Sequence, residues 1–550
     1  MFSQPASTAT SARLPVDVRR FPWINRLAAD YAFDYARLSP FYAGNPAEPA
    51  AWADAIARTQ QFPRKRDAIA DVIAAQQHRR GAPAESIAAA AALRDPRTVA
   101  VVTGQQAGLF GGPLFTLLKA ITAIRLAERV REVHRVPAVP IFWIDAEDHD
   151  WDEVKSCGLL DAELSLLTVA VSDPEGANER SVARIRLDDS APSAIADLEA
   201  ALPATEFTPE LVEQIRRAYQ PGTGMSDAFG TWVESVLGPK GLVVFDSSDP
   251  AAKPLVAGVF ATEVEHAGRT SALASEAGAA LAALGYHAQV TPHEAQPALF
   301  HLDGGREPIR AQDGRFAIGD GTYTREDLLT SVRRSPQEFS PNVLLRPLVQ
   351  DTLFPTVCYV AGPSELAYLG QLRGVYAAFG IPMPLMQQRA TATLVDSNTM
   401  RFLTRHDFPV EALRAQDEAA LNQLLETQLP ASVEGSLDEA ARVVSERMEA
   451  LAQAVLQIDA TLEGATRSTL GRMQDDLRKL HNKIIQAAKR KDETLRRQFK
   501  HAQAQAFPDG HPQERTVGFV YFLNKYGPAL VDRLGDELAL DMGTHWVITI

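Results

Sequence analysis

The sequence predicts an α/β chain whose parallel sheet is interrupted by a long insertion and followed by heptad-patterned helices. Three observations predict it. A strand, a glycine loop, a helix and a second strand follow one another over residues 98–144, which is the signature of a βαβ unit. A similar strand, turn and helix return over residues 340–386. Finally, Leu437, Ala441, Val444, Met448, Leu451, Val455, Ile458 and Leu462 alternate spacings of four and three, the mark of a coiled-coil seam.

Taken in order, residues 1–95 read as a helical segment packing on the core, because 51–92 are alanine-rich with few glycines and Asp95-Pro96 closes them. The first half of the core is expected over 96–155. Within it "TVAVVTG" (98–104) reads as a buried strand and "QQAGLFGGP" as a glycine loop. "LFTLLKAITAIRLAERVRE" reads as a helix with apolar positions 114, 117, 118, 121, 124 and 126, and "VPAVPIFWI" as the next strand. The glycine loop and the acidic stretch after Ile144 each follow a strand, so both are expected at the carboxyl edge of the sheet, where ligands of such folds bind.

Residues 156–339 read as an insertion holding part of the core, with strand-like "GLVVFDSSD" and "ALFHLDG" and helices over 252–284. The second half of the core is expected over 340–400, linker helices over 401–435, a coiled coil over 436–507 and a segment returning to the core over 508–550. The seam breaks near Gly464, resumes at Leu470, Met473, Leu477, Leu480 and Ile484, and shifts to Leu495, Phe499, Ala502 and Ala506, like a stutter, before Phe507-Pro508 ends it. An antiparallel hairpin and a dimer seam both satisfy this pattern. The basic stretch "KLHNKIIQAAKRKDETLRRQFK" reads as a solvated helix face.

With 550 residues, 46% hydrophobic and 23% charged, the chain is expected to bury substantial cores in more than one domain. A net charge of −14 opposes broad attraction to nucleic acid, which needs concentrated basic surface. Only Cys157 and Cys358 occur, so neither a disulfide framework nor a cysteine-rich zinc site is expected, and a cytoplasmic setting is the simpler reading. The first 23 residues lack the apolar centre of a secretory signal and no apolar run is long enough to span a membrane, so no membrane partner is expected.

The stretch "IFWIDAEDHDWDEV" (141–154) puts six carboxylates and His149 into positions 145–153. Helical geometry would align Asp145, Asp148, His149 and Asp152, whereas an extended chain would group Glu147 with His149. Asp148 and Asp150 could hold a hard cation, His149 could act as a base, or the whole could be a solvated loop. In the glycine loop, Gly108, Gly111 and Gly112 allow close backbone approach, and Pro113 suits the first helical position, so the helix start could receive an anion; a purely structural turn is the alternative. Arg346 could fork onto a carboxylate or phosphate, or pair internally with Asp351 or Glu365. Both cysteines read as buried small residues, and no GxSxG, HExxH or paired CxxC occurs.

Five motifs, "VVTGQQAGLFGGPLFTLLKAITAIRLA", "VPIFWIDAEDHDWDEV", "SPNVLLRPLVQDTLFPTVCYVAGPSELAYLGQL", "FGIPMPLM" and "FPDGHPQERTVGFVYFLNKYGP", resemble in sequence and order the BshC family of cysteine-adding enzymes of bacillithiol biosynthesis. The resemblance implies a Rossmann-like nucleotide-binding core similar to class I aminoacyl-tRNA synthetases, connecting-peptide insertions and a coiled coil that forms a homodimer. It implies a ligase that forms an amide between L-cysteine and the amine of glucosaminyl-malate, with ATP and Mg as expected cofactors and no protein metal ligands assigned. Catalytic roles are carried onto Asp148, His149 and Asp150, and substrate binding onto Gln105, Gln106, Glu153, Arg346, Gln350, Asp351, Tyr359, Glu365, Tyr368 and Gln371. Nucleotide binding is carried onto Thr103, Gly104, Gly111, Gly112, Lys119 and Arg389. The synthetase HxGH and KMSKS signatures are absent, with Gln105, Gln106, Gly111 and Gly112, and later Arg389 in "QQRATATLVD", at comparable places. Two other readings stand beside this one: a synthetase-like transferase with another amine acceptor, and a non-catalytic coiled-coil scaffold.

Overall fold

A computed structural model describes residues 13–293, 296–302, 305–312, 314–427, 431–491 and 493–550. The stretch read for a signal lies mostly outside them. The chain divides into two compact units, residues 1–393 with 513–548, and residues 394–512 with 549–550.

The first unit is organised by five parallel strands, β1 (Val99–Gln105), β2 (Ala138–Ile144), β3 (Val243–Asp246), β4 (Thr356–Ala361) and β5 (Leu385–Gln388), in the order β5-β4-β1-β2-β3. All of β2, and β1 up to Gly104, are buried, so the strands read as unbroken apolar runs rather than alternating ones. Helix α1 (Leu114–Arg129) is the crossover from β1 to β2, and twelve of its sixteen residues are buried. Beyond it the expected helix continues as a π-helical turn, Val130–His134.

From β1 the chain builds outward through β2 and β3, then returns to lay β4 and β5 on the other side. Strand order therefore reverses between β1 and β4, and the crevice at their carboxyl ends is the place where such sheets take ligands. Strand β3 belongs to this core although it lies in the middle of the 156–339 stretch.

The rest of that stretch supplies a hairpin (Ser156–Leu160 with Leu166–Ala170), helix α2 (Lys253–Glu265) and a small sheet in which Leu299–His301 lies between Phe339–Pro341 and Glu307–Pro308. Helix α3 (Arg346–Leu353) leads into β4, and α4 (Pro363–Leu369) follows it. The N-terminal region forms helices Pro49–Gln61, Arg66–Arg80 and Ala84–Ala92, and Trp52 and Ile56 pack with Val99 and Val357 of the sheet. At the other end of the chain, His545 pairs with Val16 across an antiparallel strand contact that runs from Arg13–Ile548 to Asp17–Thr544.

In the second unit α5 (Ala431–Val455) and α6 (Thr461–Lys491) form an antiparallel hairpin, with α7 (Glu493–Ala506) after them. Gln474 donates to Ser445 at 3.2 Å and His481 lies 3.1 Å from Glu434, pairings that only opposed helices allow. The hairpin turns at 456–460, not near Gly464, which lies within α6. The heptad run overshoots that turn, leaving Ile458 81% exposed. Among the described residues, no helix is long and apolar enough to cross a membrane.

Candidate active site

At the switch point between β1 and β4 lies a cleft of about 420 Å³. Gly104, Gln105 and Gln106 enter it from the end of β1, Trp143, Asp145 and Asp148 from the end of β2, Arg346 from α3, and Tyr359, Glu365 and Tyr368 from β4 and α4. Phe300, Arg306 and Pro341–Val343 close it from the insertion side.

Its floor is a chain of buried polar groups. Glu365 pairs with Lys119, accepts from the Tyr359 hydroxyl at 2.7 Å and accepts from the Gly362 amide at 2.7 Å. Burial would raise this carboxyl, but those partners together hold it below the usual range. Lys119 also donates to the Gly104 carbonyl at 2.8 Å and to Gln105 Oε1 at 3.1 Å. It thereby ties the end of β1 to the start of α4.

Beside them Arg346 donates to Tyr368 Oη and to Gln350 Oε1, both at 3.1 Å, and its Nε lies 3.7 Å from Asp145. Among the described residues, the carboxylate that pairs with Arg346 is thus Asp145, and neither of the alternative internal partners, Asp351 or Glu365, pairs with it. Burial pushes the Asp145 carboxyl up, against the pull of Arg346 and Arg306.

The acidic stretch is neither one helix nor one extended strand; residues 145–150 form a loop and only Trp151–Val154 is helical. Its carboxylates are accordingly divided. Asp145 and Asp148 face the cleft, Asp148 accepting from Gln106 Nε2 at 2.8 Å and from the His149 amide at 2.8 Å. Glu147 points the other way into a buried pair with Lys253 at the start of α2. Asp150 caps the short helix through the Glu153 amide, and Asp152 pairs with Lys155 at 2.6 Å on the surface. The backbone is pinned from the insertion, Val182 N to Asp148 O at 2.7 Å and Ala183 N to Ala146 O at 2.8 Å. Among the described residues, no group of three His, Cys, Asp or Glu side chains is arranged to hold a metal ion.

Several expected site residues lie elsewhere. A Cβ on Gly111 would sit 2.2 Å from the Phe519 ring and 3.0 Å from Trp232 Nε1, and the Leu114 amide at the helix start donates to Val517 O at 2.8 Å. The glycine loop therefore packs on the C-terminal segment, and Pro113 stands just before the helix as its cap residue rather than at the first helical position. Thr103 donates to Val360 O across the sheet, and Arg389 is held by Glu514 at 2.6 and 2.9 Å. Of the six residues expected to bind nucleotide, only Gly104 lines the cleft, and Lys119 is consumed by Glu365; together the six do not form a phosphate cradle.

Gln371 is spent on the backbone of Val290 and Ala274, while Asp351 is spent on Gln350 and Tyr376. Gln350 acts one step back, through Arg346. Both cysteines are buried, and burial pushes the Cys157 thiol up to about 12.

Sequence reasoning missed Arg306, Phe300 and Asn342. Arg306 stacks over Phe300, 3.9 Å from ring centroid to guanidinium carbon, and reaches His149 Nδ1 at 3.3 Å. It stands in a turn-rich stretch with no motif around it. The pairing of Leu299–His301 with both Phe339–Pro341 and Glu307–Pro308 brings this arm to the cleft.

Comparison with known proteins adds a direct relation. Residues 14–390 match the family description "Bacillithiol biosynthesis BshC, N-terminal Rossmann-like domain", and residues 392–550 match "Bacillithiol biosynthesis BshC, C-terminal coiled-coil domain". A protein of Salinibacter ruber is 36% identical over 99% of this chain and 100% of its own length. Proteins of Koribacter versatilis, 32% identical over 95% of this chain and 97% of their own, and of Symbiobacterium thermophilum, 33% identical over 94% and 96%, are similar throughout. All three carry the name "Putative cysteine ligase BshC".

Proposed function

The chain belongs to the bacillithiol biosynthesis BshC family, and on that premise we propose that it is a ligase that joins the carboxyl group of L-cysteine to the free amine of glucosaminyl-malate. The observation that carries the reading is the composition of the switch-point cleft. Two guanidinium groups, Arg306 and Arg346, face it together with the carboxylates of Asp145 and Asp148. A site of that kind suits an acceptor bearing both carboxylates and an amine.

In this reading Arg346, oriented by Tyr368 and Gln350, takes an acceptor carboxylate, because a fixed guanidinium matches a carboxylate edge to edge. Asp145 and Asp148 receive an ammonium group or sugar hydroxyls. His149 accepts a proton from the attacking amine, which must be neutral to react. Gln105 and Gln106 supply neutral hydrogen bonds at the β1 end, and Gln106 also sets the rotamer of Asp148.

A free carboxylate is a poor acyl donor, so amide formation needs it activated. The glycine loop is packed against the C-terminal segment. Mg-ATP is the activating reagent in this reading, and turnover with and without it tests that role. The likeness to class I aminoacyl-tRNA synthetases and a cytoplasmic setting belong to the same proposal. So does a homodimer, supported by Leu451, Leu462, Met473 and Leu480, which remain exposed on the hairpin.

The test is incubation of pure protein with cysteine and glucosaminyl-malate, with and without Mg-ATP, followed by mass detection of the thiol product. Product is expected with the native chain and at least about 100-fold less with His149→Ala or Arg346→Ala. Normal turnover by both variants rejects the roles, and a different preferred amine rejects the acceptor.

A further inference from the structure

We propose that Arg306 is a positioning residue that couples an acceptor carboxylate to the proton position on His149. The proposal rests on the ligase reading above. Nδ1 of His149 lies 3.3 Å from Arg306 Nη1 and 3.3 Å from Asp148 Oδ1. A neutral imidazole carries one N–H, so Nδ1 serves one of these neighbours at a time. If it accepts from Arg306, the hydrogen sits on Nε2 and the ring cannot act as a base there. If it donates to Asp148, the Nε2 lone pair is free.

The two neighbours are held very differently. Asp148 is fixed, with Oδ2 accepting from Gln106 and Oδ1 from the His149 amide, both at 2.8 Å. Arg306 is loosely satisfied: Nη2 reaches Pro341 O at 3.3 Å, Nη1 is 3.9 Å from Asp148, and among the described residues the buried Nε has no hydrogen-bond partner. These are long contacts for a largely buried cation, since charge-assisted bonds shorten to about 2.7–2.9 Å. A ligand carboxylate in the cleft therefore offers Arg306 a better partner than His149 does.

Once the guanidinium turns to that carboxylate, the hydrogen on His149 relocates through solvent to Nδ1 and binds Asp148. The ring is 52% exposed, so water has access for the exchange. Nε2 then takes one proton from the acceptor's ammonium group. The products of this step are a neutral amine, whose lone pair can attack, and an imidazolium held by Asp148; no further reactant enters. An acceptor lacking the carboxylate leaves Arg306 on Nδ1 and the base blocked.

The experiment compares glucosaminyl-malate with methyl glucosaminide, which has the amine but no carboxylate, in the native enzyme and in Arg306→Met. The native enzyme is expected to favour the carboxylate acceptor by about 100-fold or more in kcat/KM, with part of the difference in kcat. Arg306→Met is expected to lose most of that preference, and its kcat on methyl glucosaminide should rise several-fold because the base is no longer blocked. A parallel fall on both acceptors, as a merely structural role would give, overturns the proposal.

If the native enzyme turns over neither acceptor, the ligase reading fails, and a readout without turnover decides the coupling. In protein labelled with 15N-histidine and assigned with His149→Gln, the free ring should show its hydrogen on Nε2 and shift it to Nδ1 on addition of free malate. Arg306→Met should show Nδ1–H throughout. A ring that ignores malate, or behaves identically in the variant, overturns the coupling.

Discussion

Lys119, buried, and Glu365, largely buried in the floor of the cleft, form an ion pair that joins α1 to the first turn of α4 across the two strands where sheet order reverses. Each is further satisfied by neighbours on its own side, Gly104 and Gln105 for the lysine, Tyr359 and Gly362 for the glutamate. The pair is a brace of the site rather than a free cation awaiting phosphate.

Breaking that brace leaves an uncompensated charge in the interior. Lys119→Met should destabilise the protein by about 3–5 kcal/mol, and Lys119→Met with Glu365→Gln should recover part of the loss because no charge is then orphaned. Urea unfolding of the two variants measures this. A double variant no more stable than the single would contradict the coupling.

The glycine loop gives a second test. Gly111 has φ near +97° and no room for a Cβ beside Phe519. Gly111→Ala should therefore cost at least about 2 kcal/mol from backbone strain and overpacking together. A variant that unfolds normally but fails only to bind nucleotide would instead place a phosphate there.

Stability should also carry a pH signature from Glu263 on α2, which accepts from the Ala298 amide at 2.7 Å just before the strand that bears Phe300. Burial raises its carboxyl to about 7, against the pull of Thr270 and the Ala298 amide. Between its ordinary value of 4.5 and about 7 the folded state holds a proton that the unfolded chain has released, so this contribution falls as pH rises through that window. Glu263→Gln removes it: the variant should gain on the native protein by about 2–3 kcal/mol from pH 5 to pH 7.5 in urea titrations. A constant difference would show that Glu263 does not titrate there.

For the hairpin, Leu451 is 48% exposed on α5 and Leu480 48% exposed on α6. If a second copy covers them, Leu451→Glu with Leu480→Glu should weaken self-association by about 100-fold or more while helix content stays intact. Sedimentation and circular dichroism check the two halves of that statement. An unchanged sedimentation profile places the dimer contact elsewhere or removes it.

Much of this was legible before any coordinates. Strands β1, β2 and β4 were readable as apolar runs because both faces of a parallel sheet are covered, and the heptad spacing announced paired helices, with a hairpin and a dimer seam both open, because a coiled-coil seam recurs about every 3.5 residues. The carboxyl-edge rule then put the acidic loop and the β1 end in one crevice. These are local or periodic properties, written in neighbouring residues.

What tertiary structure alone decided is which of the clustered groups face the cleft. Six carboxylates clustered in sequence were sorted by partners remote from them: Lys253 drew Glu147 inward, and Gln106 holds Asp148 at the rim. The glycines were assigned to packing by Phe519, some four hundred residues away, and Arg306 entered the site through the pairing of two short strands. Side-chain direction depends on which distant surfaces meet, and neither spacing nor propensity encodes that contact; the sequence specified the pieces of the site, and packing selected their roles.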